Sequence, residues 1–254
     1  MADDPGTDVP LGIDFGGSGI KGAPVDLDRG DFADDRQRIP TPDPSTPDAV
    51  SEVVAELIGS FPDASGPVGI TVPGVVRHGT VTTAANIDQS WIGAEAERLF
   101  TAASGRAVRV VNDADAAGLA EVRYGAARGA HGLVIVTTLG TGIGSALVND
   151  GVLVPNSELG HLEIDGYVAE HRAANSVRES KDLTMEKWAK RLTTYYRHLE
   201  RLFSPDLFVV GGGVSKRADE FLPMVEIDTQ SVPALLRNKA GIIGAALYAV
   251  EGSA

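Results

Sequence analysis

The chain predicts an α/β fold in two lobes, and three observations carry that expectation. Short apolar strands alternate with amphipathic helices along the sequence. A strand, a glycine-rich turn and a second strand occur twice, at residues 11–21 and again at 134–144. With 254 residues, 43% of them hydrophobic, the chain can bury two cores.

The first unit reads Leu11-Gly12-Ile13-Asp14-Phe15-Gly16-Gly17-Ser18-Gly19-Ile20-Lys21 and continues Gly22-Ala23-Pro24-Val25. A dinucleotide fingerprint or a P-loop needs a helix directly behind its glycines. Pro24 stands too deep for such a helix, so the turn closes a β-hairpin. Thr46-Pro47-Asp48 then starts a helix, with Val50, Val53, Val54, Leu57 and Ile58 on its buried face. Residues 68–72 read as a strand and Pro73-Gly74 as a turn, with short strands at Val75-Val76 and 80–83 around His78-Gly79. A helix over 94–104 precedes a buried strand, 107–111, that runs directly into Asn112-Asp113. The next helix, 114–124, carries Asp113 and Asp115 at its first turn, where carboxylates suit the helix dipole.

The second glycine unit, Leu139-Gly140-Thr141-Gly142-Ile143-Gly144, leads into Ser145-Ala146-Leu147-Val148 and the turn Asn149-Asp150-Gly151. It repeats the strand-turn-strand plan. Thr184 caps a long helix to about Phe203, which Ser204-Pro205-Asp206 breaks. A strand at 207–210 ends in Gly211-Gly212-Gly213, and a last helix occupies 241–250.

Composition removes several classes of function. The chain has no cysteine, which excludes disulfides, thiolate zinc sites and cysteine nucleophiles. A net charge of −13 argues against general nucleic-acid binding. The longest apolar run, 240–250, holds two glycines and falls well short of the roughly 20 residues that span a bilayer. The acidic, proline-bearing start, 1–10, lacks the basic and apolar parts of a secretory signal and reads as a frayed tail on a cytoplasmic protein.

The turn Gly16-Gly17-Ser18-Gly19 offers backbone N–H groups without bulky side chains, and Lys21 adds a cation, which suits a phosphate. The plain alternative is a tight hairpin whose glycines serve geometry only. Gly140, Thr141 and Gly142 form a second such turn, and Gly211, Gly212 and Gly213 a third wall. Asp14, at the end of its strand, suits Mg2+ held through water. Asn112 and Asp113 stand where a strand meets a helix, the place at which α/β proteins bind ligands. An amide and a carboxylate there grip sugar hydroxyls, and Asp113 is the candidate general base. One of the pair as a helix cap is the alternative, and the two roles are compatible. Glu158-Leu159-Gly160-His161 adds a carboxylate and an imidazole suited to a polyol, against the plainer reading of a packed histidine.

Four segments in order resemble the signature of the ROK sugar kinases: Asp14-x-Gly16-Gly17-Ser18-x-x-Lys21, residues 112–117, residues 139–144, and Glu158-Leu159-Gly160-His161. The match spans most of the chain. Leu202-Phe203-Ser204-Pro205 before the triple glycine, and the run 158–166, most resemble the branch of that family that uses polyphosphate. The resemblance implies an actin-like ATPase fold, ribonuclease-H-like in each lobe, with a cleft between the lobes. It implies a small lobe, 1–112, completed by the last helix, 240–254, and a large lobe, 113–239. It further implies Asp113 as base toward the glucose 6-hydroxyl, with Asn112, Asp113, Glu158 and His161 holding the sugar and Gly74 and Asn86 approaching it. Many members carry a cysteine-rich zinc loop after the Gly-His pair; here that stretch is Tyr167-Val168-Ala169-Glu170-His171-Arg172, so no such zinc site forms. Glu170 is carried over as a last sugar ligand.

The implied reaction is transfer of phosphate to glucose from polyphosphate, from ATP, or from both, with Mg2+. A polyanionic donor needs a local basic strip on this acidic chain. Lys187, Lys190, Arg191, Thr194, Arg197 and Arg201 recur at helical spacing, and Lys216 and Arg217 follow the triple glycine. A solvated helix face is the competing reading. A strictly ATP-dependent glucokinase, a mannokinase or another hexose kinase stays open. The family also contains transcription regulators, which place a helix-turn-helix ahead of the sugar domain, where this chain has about ten residues before its first strand. An actin-like scaffold would not need the Glu158–His161 group. A homodimer without nucleic-acid or membrane partners is the family expectation.

Overall fold

The structure, a computed structural model, describes residues 8–252; positions 1–7 of the expected tail and 253–254 of the last segment lie outside the described residues. The chain divides into two units, residues 1–116 with 239–254, and residues 117–238.

In the first unit, β1 (Leu11–Gly16) and β2 (Gly19–Asp26) form the expected hairpin, with Gly16 opposite Gly19 across the turn. Two short strands, β3 (Asp31–Phe32) and β4 (Gln37–Ile39), both pair with β2. Helix α1 (Pro47–Gly59) starts at Thr46, whose hydroxyl accepts the Ala49 N–H at 3.4 Å. Strand β5 (Val68–Val72) is followed by the small hairpin of β6 (Val76–Arg77) and β7 (Thr80–Val81). Helix α2 (Ala96–Ser104) ends in Gly105 in the left-handed region at φ +70°, and leads to β8 (Val108–Asn112). Helix α3 (Asp113–Tyr124) begins at the very next residue. The sheet order is β3-β2-β1-β5-β8, with β1, β5 and β8 parallel. Its core joins Leu11, Ile13, Ile70 and Val110 from the sheet to Val54 and Leu57 of α1 and to Trp91 and Phe100.

The second unit repeats that plan. Strands β9 (Leu133–Leu139) and β10 (Ile143–Asn149) form a hairpin, and β11 (Val152–Val154) adds to its edge. After β12 (Glu163–Ile164) and β13 (Tyr167–Val168) come three helices, α4 (Glu170–Ala173), α5 (Asn175–Ser180) and α6 (Met185–Phe203). Strands β14 (Leu207–Gly211) and β15 (Ser231–Pro233) then complete a sheet ordered β11-β10-β9-β14-β15. In both sheets a hairpin is followed by two strands parallel to its first member, so each runs third, second, first and then the two parallel strands, with β4 as an additional strand on β2 in the first sheet. Helix α6 begins at its Thr184 cap and buries Trp188, Leu192, Tyr195, Tyr196 and Leu199 against Ile135 and Phe208.

Helix α7 (Ala240–Glu251) returns to the first unit and packs on β1, β5 and β8. It lies so close that a Cβ on Gly12 or Gly69 would overlap the Ile242 or Ala245 carbonyl. The two glycines in these strands therefore serve close packing. Among the described residues no helix is long and apolar enough to cross a membrane.

Candidate functional site

Register builds the first group of polar residues. Asp14 stands opposite Lys21 across β1 and β2, opposite Thr71 across β1 and β5, and Lys21 stands opposite Arg38 across β2 and β4. Directly paired residues point to one face of a sheet, so Thr71, Asp14, Lys21 and Arg38 form a row. Lys21 Nζ lies 3.3 Å from Asp14 Oδ2, and the Thr71 hydroxyl donates to Asp14 Oδ1 at 3.1 Å. The buried Thr71 oxygen in turn accepts the Phe15 N–H at 3.2 Å. Arg38 donates to the Ser18 carbonyl at 2.7 Å and Thr41 to the Gly16 carbonyl at 2.5 Å. The glycine turn is thus held from outside by its carbonyls. A Cβ on Gly17 would come within 3.0 Å of the Asn86 carbonyl, which places the loop of Asn86 against this same turn.

Arg38, Thr41 and Thr71 escaped the sequence reading. Nothing in a short polar stretch announces strand pairing with β2, and only that pairing puts a guanidinium beside the glycines.

Asn112 and Asp113 divide the roles that sequence left undivided. Asn112, only 7% exposed, accepts the N–H groups of Ala114 at 2.8 Å and Asp115 at 3.1 Å through Oδ1. It therefore caps α3, while its amide donates to the Gly74 carbonyl at 3.0 Å. One amide hydrogen stays available for a ligand by the inventory of that side chain. Gly74 is itself enclosed: a Cβ there would overlap the Thr83 carbonyl. Asp113 is exposed at the first position of α3 and accepts the Ala114 N–H at 2.9 Å. Gly74, Asn86, Asn112 and Asp113 all belong to the first unit.

In the second unit His161 lies between two carboxylates, its Nδ1 3.9 Å from Glu158 and its Nε2 3.6 Å from Glu170. Glu170 opens α4, and its other oxygen accepts the Ile143 N–H at 3.1 Å, directly after the glycine turn. That turn is fastened from behind by Ser176, whose N–H reaches the Gly140 carbonyl at 3.0 Å and whose hydroxyl reaches the Thr141 carbonyl at 2.5 Å. Desolvation pushes the Glu158 carboxyl above its ordinary value; His161 opposes the shift and Glu170 adds to it.

Gly211 pairs with Thr138, and Gly212, at φ +86°, sits where a Cβ would overlap Leu139. The triple glycine therefore lies alongside the strand end that leads into Gly140. Lys216 and Arg217 lie in a pair of 3-10 turns, Gly213–Glu220, that kink at Arg217, with Arg217 paired to Glu220 at 2.6 Å. On α6 the row of cations is interrupted by partners: Lys190 meets Glu186 at 2.9 Å and Arg197 meets Glu226 at 3.4 Å. Among the described residues no group of three or more His, Asp or Glu side chains is arranged to hold a metal ion.

Comparison with known proteins places the chain in a family. A polyphosphate glucokinase of Mycobacterium tuberculosis (strain CDC 1551 / Oshkosh) is 53% identical over 241 residues, 94% of this chain and 91% of that protein. The crystal structure of an inorganic polyphosphate/ATP-glucomannokinase from Arthrobacter sp. strain KM superposes with a TM-score of 0.91 at 52% identity, covering 97% of this chain and 100% of the other. A ROK family glucokinase from Streptomyces griseus, solved with glucose and AMPPNP, shares the fold at a TM-score of 0.82 and 24% identity, covering 96% of this chain and all of its own. These kinships, the repeated sheet plan and a match of residues 10–176 to the model of the ROK family lead to one assignment: the chain belongs to the ROK family and has the actin-like ATPase fold.

Proposed function

We propose that this protein transfers a phosphoryl group from inorganic polyphosphate, and from ATP, to the 6-hydroxyl of D-glucose, giving glucose 6-phosphate. The observation that carries the reading is kinship at 53% identity, over 94% of the chain, with a polyphosphate glucokinase.

Asn112, Asp113, Glu158, His161 and Glu170 are the proposed glucose ligands, with Gly74 and Asn86 lining the sugar. Carboxylates and an imidazole accept from adjacent hydroxyls, while the spare amide hydrogen of Asn112 donates. Asp113, exposed at the first position of α3, takes the proton of the attacking hydroxyl. Phosphoryl transfer asks a protein for alignment and for charge stabilisation rather than covalent chemistry. The backbone N–H groups of Gly16, Gly17, Ser18 and Gly19, with Lys21, and those of Gly140, Thr141 and Gly142 with Gly211, Gly212 and Gly213, supply the cradle. Lys187, Lys190, Arg191, Lys216 and Arg217 are the proposed path for a long donor.

The residues fit a water-mediated Mg2+ at Asp14. That ion keeps several waters and takes the rest of its shell from phosphates, so one carboxylate suffices. Asp14 is half-buried and its orientation is fixed by Lys21 and Thr71. When bound, Mg2+ supplies neutralisation of the charge on the transferring phosphoryl group.

The test is a coupled assay for glucose 6-phosphate with nucleotide-free polyphosphate and with ATP in separate reactions. Product from polyphosphate is expected. Product from ATP alone would replace the reading with an ATP-dependent glucokinase. Because the Arthrobacter relative is described as a glucomannokinase, mannose is assayed as a second acceptor.

A further inference from the structure

The hairpin β12–β13, helix α4 and helix α6 line a partly open cavity of about 250 Å3. Arg172, Lys190 and Arg191 line it, against one carboxylate, Asp165. On a chain of net charge −13 this is a local reversal of sign. Arg172 lies over the exposed ring of Tyr167, 4.5 Å from its centroid, which limits where its guanidinium can go. Arg191 donates to the Arg172 carbonyl at 3.1 Å and so ties α6 to α4 at the cavity. Lys190 is shared with Glu186 on its own helix.

Tyr195 also lines the cavity. It is 1% exposed, and its hydroxyl oxygen is buried without a hydrogen-bond partner among the described residues. The adjacent Tyr196 shows the usual condition, its hydroxyl 2.7 Å from Thr137 Oγ1. A buried hydroxyl with no partner is costly, and because the Tyr195 side chain lines the cavity together with three cations, a ligand that enters it is suited to supply the partner. Burial, with Tyr196 and Glu170 nearby, pushes the Tyr195 phenol well above its ordinary value, which keeps it a neutral donor. Guanidinium forks and a hydroxyl donor together match the acceptor oxygens of a phosphoryl group. The volume lies just below the roughly 300–1,000 Å3 of pockets for drug-sized ligands, which favours a few linked phosphates or a sugar phosphate over a nucleotide.

We propose that this cavity binds a phosphate-bearing anion, with Arg172, Lys190 and Arg191 neutralising its charge and the Tyr195 hydroxyl donating to one of its oxygens. The site stands on its own geometry; only the source of the anion, a polyphosphate segment or the product glucose 6-phosphate, rests on the kinase reading. Helix α4 joins it to the sugar ligands: Glu170 begins that helix, and Arg172 and Ala173 face the cavity.

The experiment is calorimetric titration of the protein saturated with glucose and AMPPNP, which occupy the acceptor and donor sites. Inorganic phosphate, glucose 6-phosphate and tripolyphosphate are titrated separately, and whichever binds names the source. One equivalent is expected to bind, with affinity falling about tenfold or more in Arg172→Gln, the size of a lost charge-assisted hydrogen bond. Tyr195→Phe should weaken the same binding while leaving the thermal stability of the anion-free protein equal or higher, since it removes an unpaired hydroxyl. No binding by any of the three anions, or wild-type binding in both variants, overturns the proposal. A protein that binds the anion without making glucose 6-phosphate keeps this site and loses the kinase reading; the converse result does the reverse.

Discussion

Asn112→Ala tests how the fold builds its proposed base. The substitution removes two acceptor contacts, to the Ala114 and Asp115 N–H groups, and one donor contact to the Gly74 carbonyl. Loss of a helix N-cap costs about 1 kcal/mol. Leaving a buried carbonyl without its partner costs about 1–3 kcal/mol, so the total is roughly 2–4 kcal/mol. Asn112→Ser separates the two parts, because serine is a good cap yet too short to reach Gly74; it should recover about 1 kcal/mol of the loss. Urea unfolding of the wild type and both variants gives these differences directly. Since the cap sets where α3 starts, Asp113 loses its fixed position and kcat falls along with stability. An alanine variant destabilised by less than about 1 kcal/mol, or a serine variant no better than alanine, would refute the assignment of these contacts.

Four further outcomes are expected. Gly69→Ala drives a methyl into the Ala245 carbonyl and should destabilise by about 3 kcal/mol or more, whereas Gly59→Ala, where nothing lies within 4 Å of the new Cβ, should be neutral or mildly stabilising; urea midpoints decide. Asp113→Asn should lower kcat by about 10²–10⁴-fold while glucose binding, read by calorimetry, persists. Because burial raises the Glu158 carboxyl above its ordinary 4.5, the folded state takes up that proton more readily than the unfolded one, so its contribution to stability is full at low pH and is lost as pH rises through the folded value. Glucose affinity should run the other way, weakening as the carboxylate is protonated on acidification, and Glu158→Gln should flatten both profiles. Replacing Lys187, Lys190 and Arg191 together by Gln should raise KM for long-chain polyphosphate more than KM for ATP; equal changes would reject the donor path along α6.

The glycine hairpins were legible because a proline and a second strand, rather than a helix, follow the glycines, and backbone chemistry alone forbids the alternatives there. Asn112 and Asp113 were legible as a pair from the buried run of β8, but not their division of labour. Both residue types cap helices, and only the distances assign the cap to Asn112. Glu170 entered through family resemblance, and its place beside His161 depends on a hairpin and two turns that no local pattern encodes. The basic spacing on α6 was equally visible, whereas the carboxylates that pair with Lys190 and Arg197 were not.

Sequence by itself determined the α/β class, the repeated strand-turn-strand plan, the absence of thiol chemistry and the ordered motifs of the family. Each of these follows from a periodicity, a composition or a short run whose physics is local. Tertiary structure decided which side chains stand in one row with Asp14, which carbonyls fasten each glycine turn, and that Tyr195, its hydroxyl buried, lines one cavity with three cations. Those facts arise from sheet register and from helices packed over it, contacts between residues far apart in the chain, and no local preference specifies them.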